Sequence, residues 1–329
     1  MKPTLLAFAT LVFAATSATS NAVSIVKRIP GPDGPWDYVS VDPASNRLFV
    51  ARGDGVQTID IATGAVTPKF VPGQRVHAAF IMSGTGMGLS TNGTTNTATL
   101  FDATTGAIKA TIPTGQKPDA AVYDEAARRA YVMNGKDGSI TVIDPATMKA
   151  TATIVVGGAL EFAAVDGKGH VFVNIEDKSE LAMVDIALRK VTRRTKLAGC
   201  EEPSGLALTK QGTLIAACAN GVAKVVDAAT GRVMSDIAIG IHPDATLYDA
   251  ARDRAYIPAG QDGTLTVIDT SAATPRKIDT VATARGARTG AVDPKTGNVY
   301  LPTVRYDPND KAERPKSVPG SFEVLVVSQ

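Results

Sequence analysis

The sequence is poor in cysteine, in aromatic residues and in net charge. Only two of its 329 residues are cysteines, aromatic residues make up 5% of the chain, and the formal net charge is +2. Nucleic-acid binding needs clustered Lys and Arg to neutralise phosphates, and single-strand binding also needs aromatic platforms for the bases. No dense basic run occurs in the chain. We therefore expect no nucleic-acid partner.

The sequence also lacks an apolar run long enough to span a bilayer, which takes about 20 residues. A shorter apolar core, residues 5–15, follows Lys2 and precedes a small-residue site that ends at Ala22. This arrangement is typical of a secretory signal peptide. We predict that residues 1–22 are removed by cleavage after Ala22. Residues 23–329 are then expected in the periplasm or the medium, as one domain without a membrane span.

Common catalytic signatures are missing as well. The chain contains no Gly-x-Ser-x-Gly elbow, no phosphate-binding glycine loop, no Cys-x-x-Cys-His haem attachment and no His-Glu-x-x-His zinc motif. Each of these motifs carries a defined chemistry, so their absence leaves no reaction assigned by motif. We expect a binding protein rather than an enzyme.

The sequence does contain a phrase repeated at a nearly constant interval. An apolar residue, an Asp and a turn-forming group recur six times, with Asp-to-Asp steps of 42, 42, 41, 42 and 42 residues. A second motif, a turn followed by an apolar run, recurs seven times between Asp42 and Asp293. Such a period marks units that bury their apolar faces against one another. The repeated acids, which we interpret as turn-forming, are Asp60, Asp102, Asp144, Asp185, Asp227 and Asp269.

Each unit consists of four short runs of β-branched and aromatic residues separated by turn clusters. Four antiparallel strands, named a to d in chain order, in seven units predict an all-β, seven-bladed β-propeller. The last run, residues 322–328, takes the place of a strand c, so the seventh unit lacks strand d. The first run of the mature chain, residues 23–29, precedes the first strand a. We predict that this N-terminal strand completes the last blade and closes the ring.

The two cysteines, Cys200 and Cys218, both lie in the fifth unit. Folding the hairpin of strands a and b brings Cys218 beside the segment that enters strand a. An exported protein meets an oxidising compartment, so we expect a disulfide between them. Two free buried thiols are the alternative. The spacing resembles no zinc motif.

Several segments carry a resemblance to a known family. Residues 131–134, Tyr-Val-Met-Asn, come closest to a YVTN motif, and residues 49–51 and 172–174 are weaker copies. With the Val/Ile-Asp-x-x-Thr-Gly turns and residues 286–293, the whole mature chain resembles the YVTN-repeat β-propeller family, especially its exported YncE-like branch. The resemblance implies the propeller fold. It implies no single activity, because the family includes binding proteins, lactonase-like enzymes and redox-complex subunits.

Candidate functional residues lie where strand d of one unit leads into strand a of the next, because these connections meet at the mouth of the channel. Counting five residues back from each a–b turn gives one residue per unit. These are Asp37, Ala78, Asp119, Glu161, Ser204, Asp244 and Arg288. Their neighbours of interest are Trp36, His77, Glu202 and His242. Carboxylates that converge on one mouth have raised pKa values unless a cation compensates them.

Three functions fit such a channel-mouth ring. The first is an exported binding protein for a small polar molecule, a metal or a protein partner; among metals, Ca²⁺ suits carboxylate oxygens. The second is a lactonase-like hydrolase in which Glu161, Glu202, His77 and Arg288 position a water and polarise an ester carbonyl. The third is an accessory subunit of a periplasmic redox complex, which rests on fold analogy, as does the second. Alternatively, each acid only caps its own strand.

Unit seven departs from the period between strands b and c. Its loop, residues 303–320, is about 17 residues longer than its counterparts and rich in Pro, Lys, Arg and Asp. Long loops on the functional face of a compact domain often act as lids or partner sites. A lid over the ring is therefore our hypothesis, and a solvated loop without a role is the alternative.

We expect the protein to be a monomer.

Overall fold

The computed structural model describes residues 23–307, 310 and 316–328. Within them the chain forms seven four-stranded antiparallel sheets and one short 3-10 helix, Glu176–Lys178. This confirms the predicted seven-bladed β-propeller. No helix in the described part of the chain has the length and apolarity of a membrane span. The predicted signal peptide, residues 1–22, lies outside the described residues.

Blades 1 to 3 each use four consecutive strands, with strand a at the channel and strand d at the rim. Their strands a to d are Trp36–Asp42, Arg47–Arg52, Gly55–Asp60 and Val66–Pro72 in blade 1, Val76–Met82, Met87–Asn92, Thr97–Asp102 and Ile108–Pro113 in blade 2, and Pro118–Asp124, Arg129–Asn134, Ser139–Asp144 and Lys149–Val155 in blade 3. Strands b and c of each are almost wholly buried, whereas strand d is mostly exposed.

Blades 4 to 6 repeat this order, although strand a of blade 6 shortens to three residues. Their strands a to d are Leu160–Val165, His170–Ile175, Glu180–Asp185 and Lys190–Lys196 in blade 4, Pro203–Leu208, Thr213–Cys218, Val222–Asp227 and Val233–Ala238 in blade 5, and Leu247–Asp249, Arg254–Ala259, Thr264–Asp269 and Arg276–Ala282 in blade 6.

Blade 7 is built from both ends of the described chain. Its strands a to c are Ala291–Val292, Val299–Thr303 and Glu323–Ser328, and its strand d is the N-terminal Ser24–Pro30. Residues of strand d pair antiparallel with strand c, from Ser24 opposite Ser328 to Pro30 opposite Glu323. The predicted closure of the ring by the N-terminal strand is therefore confirmed.

The repeated acids form the c–d turns. Asp102, for example, accepts hydrogen bonds from the backbone N–H groups of Thr104 and Thr105 and from the Thr105 hydroxyl. These donors favour the carboxylate and lower the pKa of Asp102 to about 2. The regular acids thus set the shape of the turns, and none of them is needed to explain a site.

A disulfide joins Cys200 and Cys218, with an S–S distance of 2.09 Å and a Cα–Cα distance of 5.4 Å. Cys200 lies in the connection from blade 4 to blade 5, and Cys218 ends strand b of blade 5, opposite Pro203. The bridge therefore ties this connection to its blade on the channel-mouth face.

Only part of the long loop of blade 7 is described, since residues 308–309 and 311–315 lie outside the described residues. In the described part, Tyr306 bridges Ser317, and the loop returns to the ring through Phe322, which is buried. Its role as a lid stays a prediction.

Candidate functional site

The first five a strands share an irregularity that positions the site. In blade 1, Trp36 pairs with Arg52 and Val39 with Val50, so strand a holds one residue more than strand b in this interval. Blades 2 to 5 show the same shift. Such a bulge re-aims the side chains next to it. The first residues after the paired position are Asp37, His77, Asp119, Glu161 and Ser204.

Blades 6 and 7 continue the series with Asp244 and Arg288. Asp244 directly follows Pro243, which forms the equivalent bridge to Ala259. Arg288 contacts Asp244 across the blade boundary, with Nε 3.1 Å from Oδ2. The observed channel-mouth ring is therefore Asp37, His77, Asp119, Glu161, Ser204, Asp244 and Arg288.

Two details of the predicted ring were wrong. In blades 1 to 5 the ring residues lie inside strand a rather than before it, because strand a also pairs with strand b on the N-terminal side of the bulge. In blade 2 the ring position belongs to His77 and not to Ala78. The turn position that matches Asp42 is Met82, since Met82 pairs with Met87 as Asp42 pairs with Arg47. Counting from Ser83 therefore placed the ring one residue too far along the chain.

One side of the ring is a buried, balanced charge cluster. The Nδ1 atom of His77 lies 2.6 Å from Asp37 Oδ2 and 3.5 Å from Asp119 Oδ1, and Lys117 Nζ lies 3.1 Å from Asp119 Oδ2. Burial raises the pKa of Asp37 despite its bond to His77. Burial alone would lower the pKa of His77, but the hydrogen bond to Asp37 and the charge of Asp119 raise it overall. Two carboxylates thus face two basic groups.

The second ring nitrogen of His77, Nε2, is enclosed by the protein. A Cβ atom added to Gly93 would lie 2.6 Å from His77 Nε2, so this nitrogen packs against the b–c loop of blade 2. It is buried and has no hydrogen-bond partner within the described residues. Because Nε2 is buried, the imidazole has no exposed nitrogen to offer a substrate at the mouth.

The opposite side of the ring carries an excess of carboxylates. Glu161 is buried, its Oε2 lies 3.5 Å from the Tyr38 hydroxyl, and it hydrogen-bonds to Glu176. Burial, with the charges of Asp119 and Asp244, raises the pKa of Glu161 well above its usual value. Burial, together with the nearby charge of Glu202, also raises the pKa of Glu176. Glu161 and Glu176 form a carboxyl pair that holds a proton more tightly than isolated acids do.

Arg288 is the basic member of the ring on this side. Burial raises the pKa of Asp244 to about 6, and the bond to Arg288 offsets this effect only in part. The guanidinium also lies over the ring of Trp36, with Cζ 5.6 Å from the centroid. Trp36 in turn packs edge-on against Phe322, with centroids 5.7 Å apart. The predicted neighbour Trp36 therefore supports the orientation of Arg288.

A pocket of about 170 Å³ opens beside these carboxylates, and we call it the mouth pocket. Its lining residues are Glu176, Glu202, Ser204, Ala219, His242, Pro243, Asp244 and Arg288. Glu202 and His242 hold left-handed φ values of 45° and 53°. Non-glycine residues in this region cost free energy, on the order of 1 kcal/mol each. Arg75 and Lys117, at the equivalent position of blades 2 and 3, hold the same conformation with φ values of 53° each, so it belongs to the repeated d–a connection rather than to the pocket.

The described residues contain one group of three ligand-type side chains with atoms within 4.8 Å of one another: Asp37, His77 and Asp119. An imidazole nitrogen with two carboxylates suits a transition metal such as Zn²⁺ or Mn²⁺. Ca²⁺ takes six to eight oxygen ligands, which this group does not supply. His77 and Lys117 already balance its charge, so the geometry does not support the expectation of Ca²⁺ there.

The sequence reasoning missed three residues that shape the site: Tyr38, Lys117 and Glu176. Lys117 lies two residues before its ring position, as Glu202 and His242 do, so counting two residues back in every unit would have found it. Glu176 comes from the 3-10 helix in the b–c loop of blade 4. No repeat register connects that loop with the ring, so only the fold brings it there.

The similarity of this chain to known proteins lies in its fold. No protein-family model matches the chain, and no curated protein matches it in sequence. A chain in a crystal structure of the mitotic checkpoint complex is similar to it in structure, with a TM-score of 0.78 at 11% identity over 100% of this chain and 99% of that one. The chain is a seven-bladed β-propeller. The WD40 repeats of RRP9 are similar as well, with a TM-score of 0.79 at 11% identity over 93% of this chain and 99% of that one.

A third similar structure is a chain of Kuenenia stuttgartiensis hydrazine synthase. Its TM-score is 0.67 at 16% identity over 86% of this chain and 95% of that one. At such identities a likeness establishes the fold alone, because the same fold carries many unrelated functions. Function must therefore be argued from the residues of the channel mouth.

Proposed function

We propose that this protein is a binding protein whose mouth pocket takes a small organic cation. The observation that carries the proposal is a charge imbalance on the pocket side of the ring. Four carboxylates, Glu161, Glu176, Glu202 and Asp244, lie near only two cations among the described residues: Arg288 bonds to Asp244, and Lys117 is paired with Asp119. Burial, together with repulsion from neighbouring carboxylates, raises the pKa values of Glu161, Glu176 and Asp244, and a nearby positive charge would offset this repulsion. A bound cation would supply that charge.

The spacing of the carboxylates favours an organic cation over a metal ion. Glu176, Glu202 and Asp244 line one pocket, yet they form no metal-ligand group among the described residues. An ammonium group has several N–H donors and can reach acceptors that do not meet at one point. The pocket has roughly the space of five or six water molecules, at about 30 Å³ each. This suits an amine with a few carbon atoms.

The lactonase-like alternative gains no support from the geometry. His77 would have to act as a base or orient a water, but its Nδ1 is held by Asp37 and its Nε2 is packed against Gly93. Glu161 has the raised pKa of a general base, but it is buried and bonded to Glu176. The redox-subunit alternative rests on fold analogy alone, which carries no functional argument.

Export and membership of the YVTN-repeat family, in its YncE-like branch, belong to the same proposal. The signal-like residues 1–22 support export, and so does the Cys200–Cys218 disulfide, because structural disulfides persist in oxidising compartments. Mass spectrometry of the protein purified from the producing cells tests this step. A mature N-terminus at Val23 in the periplasmic or extracellular fraction is expected, and an unprocessed chain in the cytoplasm would contradict export.

Calorimetric titration at pH 7.5 and low ionic strength tests the ligand class. We expect ethanolamine and putrescine to bind saturably and acetate not to bind. Affinity should fall as salt is added, because the attraction is electrostatic. Glu202→Gln and Asp244→Asn should each weaken binding about tenfold or more. Glu201→Gln is the matched control, since Glu201 is the neighbouring exposed acid outside the pocket.

Several results would contradict the proposal. Binding of Ca²⁺, Mg²⁺ or Zn²⁺ without binding of any amine would point to a metal site instead. Amine binding that is unchanged in both Glu202→Gln and Asp244→Asn would place the ligand outside the mouth pocket. Equal losses of amine affinity in Glu201→Gln and Glu202→Gln would show that long-range charge, and not contact in the mouth pocket, controls binding.

A further inference from the structure

A cavity of about 400 Å³ occupies the central channel beyond the ring, and we call it the channel cavity. Its walls come from the a strands of blades 1 to 5 and the residues around the short strand a of blade 6. Because the wall residues follow the ring residues along each strand, the cavity lies toward the a–b turns. None of its lining side chains is charged.

The channel cavity is closed on the side of the mouth. The rings of Tyr38 and Phe162, from blades 1 and 4, lie 5.1 Å apart at 57° and block the channel. The other side chains of this layer are small and buried, as with Ala78, Ala120 and Ala245. On the turn side, Phe80 and other wall residues are partly exposed. A ligand therefore enters from the a–b turn face and meets Tyr38 and Phe162 as the floor.

The chemistry of the wall excludes an ion. Transfer of a charge into such a site would remove its hydration without an opposite charge to replace it. The wall offers hydroxyl groups only: Ser40 donates to the carbonyl of Ala79, and Thr246 is 6% exposed with no hydrogen-bond partner within the described residues. A ligand of this cavity is neutral, with at most a hydroxyl as its polar group.

The wall is also rich in aromatic side chains, although the whole chain has only 17 of them. Five line this one cavity, namely Tyr38, Phe80, Tyr123, Phe162 and Tyr248. Aromatic rings favour edge-to-face and offset-stacked contacts with other rings. A cavity of about 150 Å³ is enough for benzene, and ligand pockets start at about 300 Å³. The channel cavity thus has room for two or three fused rings.

We propose that the channel cavity binds a neutral, planar aromatic molecule of two or three rings, which enters from the a–b turn face. This site is separate from the mouth pocket, because Tyr38 and Phe162 lie between them. The proposal therefore does not depend on the binding of an amine at the mouth.

Titration of the full mature chain with 2-naphthol, followed by its fluorescence and by calorimetry, tests the proposal. We expect saturable binding of one molecule per chain, unaffected by putrescine. Ala164→Phe places a ring in the cavity and should weaken binding at least tenfold. Ala150→Phe, on an exposed strand d, is the matched control and should leave binding unchanged. Phe80→Leu keeps an apolar side chain but removes a ring face, so it should weaken binding severalfold even if Ala164→Phe fails to fold.

Three outcomes would overturn the proposal. One is the absence of saturable binding up to about 1 mM, the limit of weak recognition. Another is equal binding by the natural chain and a folded Ala164→Phe variant, which would place naphthol elsewhere. The third is displacement of naphthol by putrescine, which would move it to the mouth pocket.

Discussion

His77 of blade 2 holds Asp37 of blade 1 at 2.6 Å through its Nδ1 atom, and the same nitrogen lies 3.5 Å from Asp119 of blade 3. One imidazole thus connects three blades at the channel mouth. Its side chain and that of Asp119 are each only 8% exposed, so this contact is largely shielded from water. The stability of the ring and its charge balance depend on the same contact.

We expect His77→Gln to lower the free energy of unfolding by about 3 kcal/mol, because it removes one of the two basic partners of the Asp37 and Asp119 carboxylates in a largely buried site. Urea denaturation at pH 6 measures the loss. His170→Gln is the matched control, since His170 lies 2.7 Å from Asp166 in a turn but is 30% exposed. An exposed pair contributes at most about 1 kcal/mol. Equal losses for the two variants would show that burial of the His77 pair has no special effect.

The ring also predicts how stability changes with pH. Asp244 has a folded-state pKa raised to about 6, so the folded chain binds more protons than the unfolded chain between pH 4 and 6. Stability therefore falls as pH rises through this window. The raised pKa values of Asp37 and Glu161 act in the same direction. His77 acts likewise: its contribution is complete below its unfolded pKa and is lost as pH rises through its folded value.

Denaturation from pH 3 to 8 measures this decline, and Asp244→Asn should flatten it by about 1 to 2 kcal/mol, after allowance for partial exposure of the side chain. Asp102→Asn is the control of opposite sign. Its lowered pKa stabilises the fold above pH 4, and this contribution is lost as pH falls toward 2. If stability declines above pH 4 equally in the natural chain and in Asp244→Asn, then Asp244 is not the origin of the decline.

The disulfide between Cys200 and Cys218 should contribute about 3 kcal/mol, since it closes a loop with a sequence separation of 18 residues. Cys200→Ser combined with Cys218→Ser should lower the melting temperature and the urea midpoint. A reducing agent should destabilise the natural chain and leave the double variant unchanged. If the reducing agent affects both chains alike, the loss has another cause.

The seam of blade 7 offers two variants on one strand. Ile29 is 2% exposed and packs in the core between blades 7 and 1, whereas Val26 on the same strand is 60% exposed. Ile29→Ala should cost about 3 kcal/mol, and Val26→Ala should stay within about 0.5 kcal/mol. Urea denaturation compares the two. Similar small losses would mean that the N-terminal strand does not hold the ring closed.

The repeat made the blades and the closure of the ring predictable. The step of 41 or 42 residues between acids such as Asp60 and Asp102 appears in the sequence, and each acid occupies the same turn in its blade. The missing strand of the last unit was equally visible from the repeat. Local turn chemistry and strand patterning agree with the global fold at these positions, which is why they can be read from the chain.

The candidate site was predictable only in part. Counting in the repeat register selected six residues that the structure brings to the ring position: Asp37, Asp119, Glu161, Ser204, Asp244 and Arg288. It failed at His77, because the bulge and the paired turn decide which side chain enters the ring. It also missed Glu176, which approaches from the b–c loop of blade 4.

The amino-acid sequence by itself determined the number of blades, the order of strands and the identity of the acids near the mouth, because these follow from local turns and a regular repeat. Tertiary structure alone decided which charges are compensated. The Nδ1 atom of His77 lies near both Asp37 and Asp119, whereas Glu161 and Glu176 lie together and hold a proton more tightly than isolated acids do. Burial and distances of a few ångströms control these differences, and no spacing along the chain encodes them.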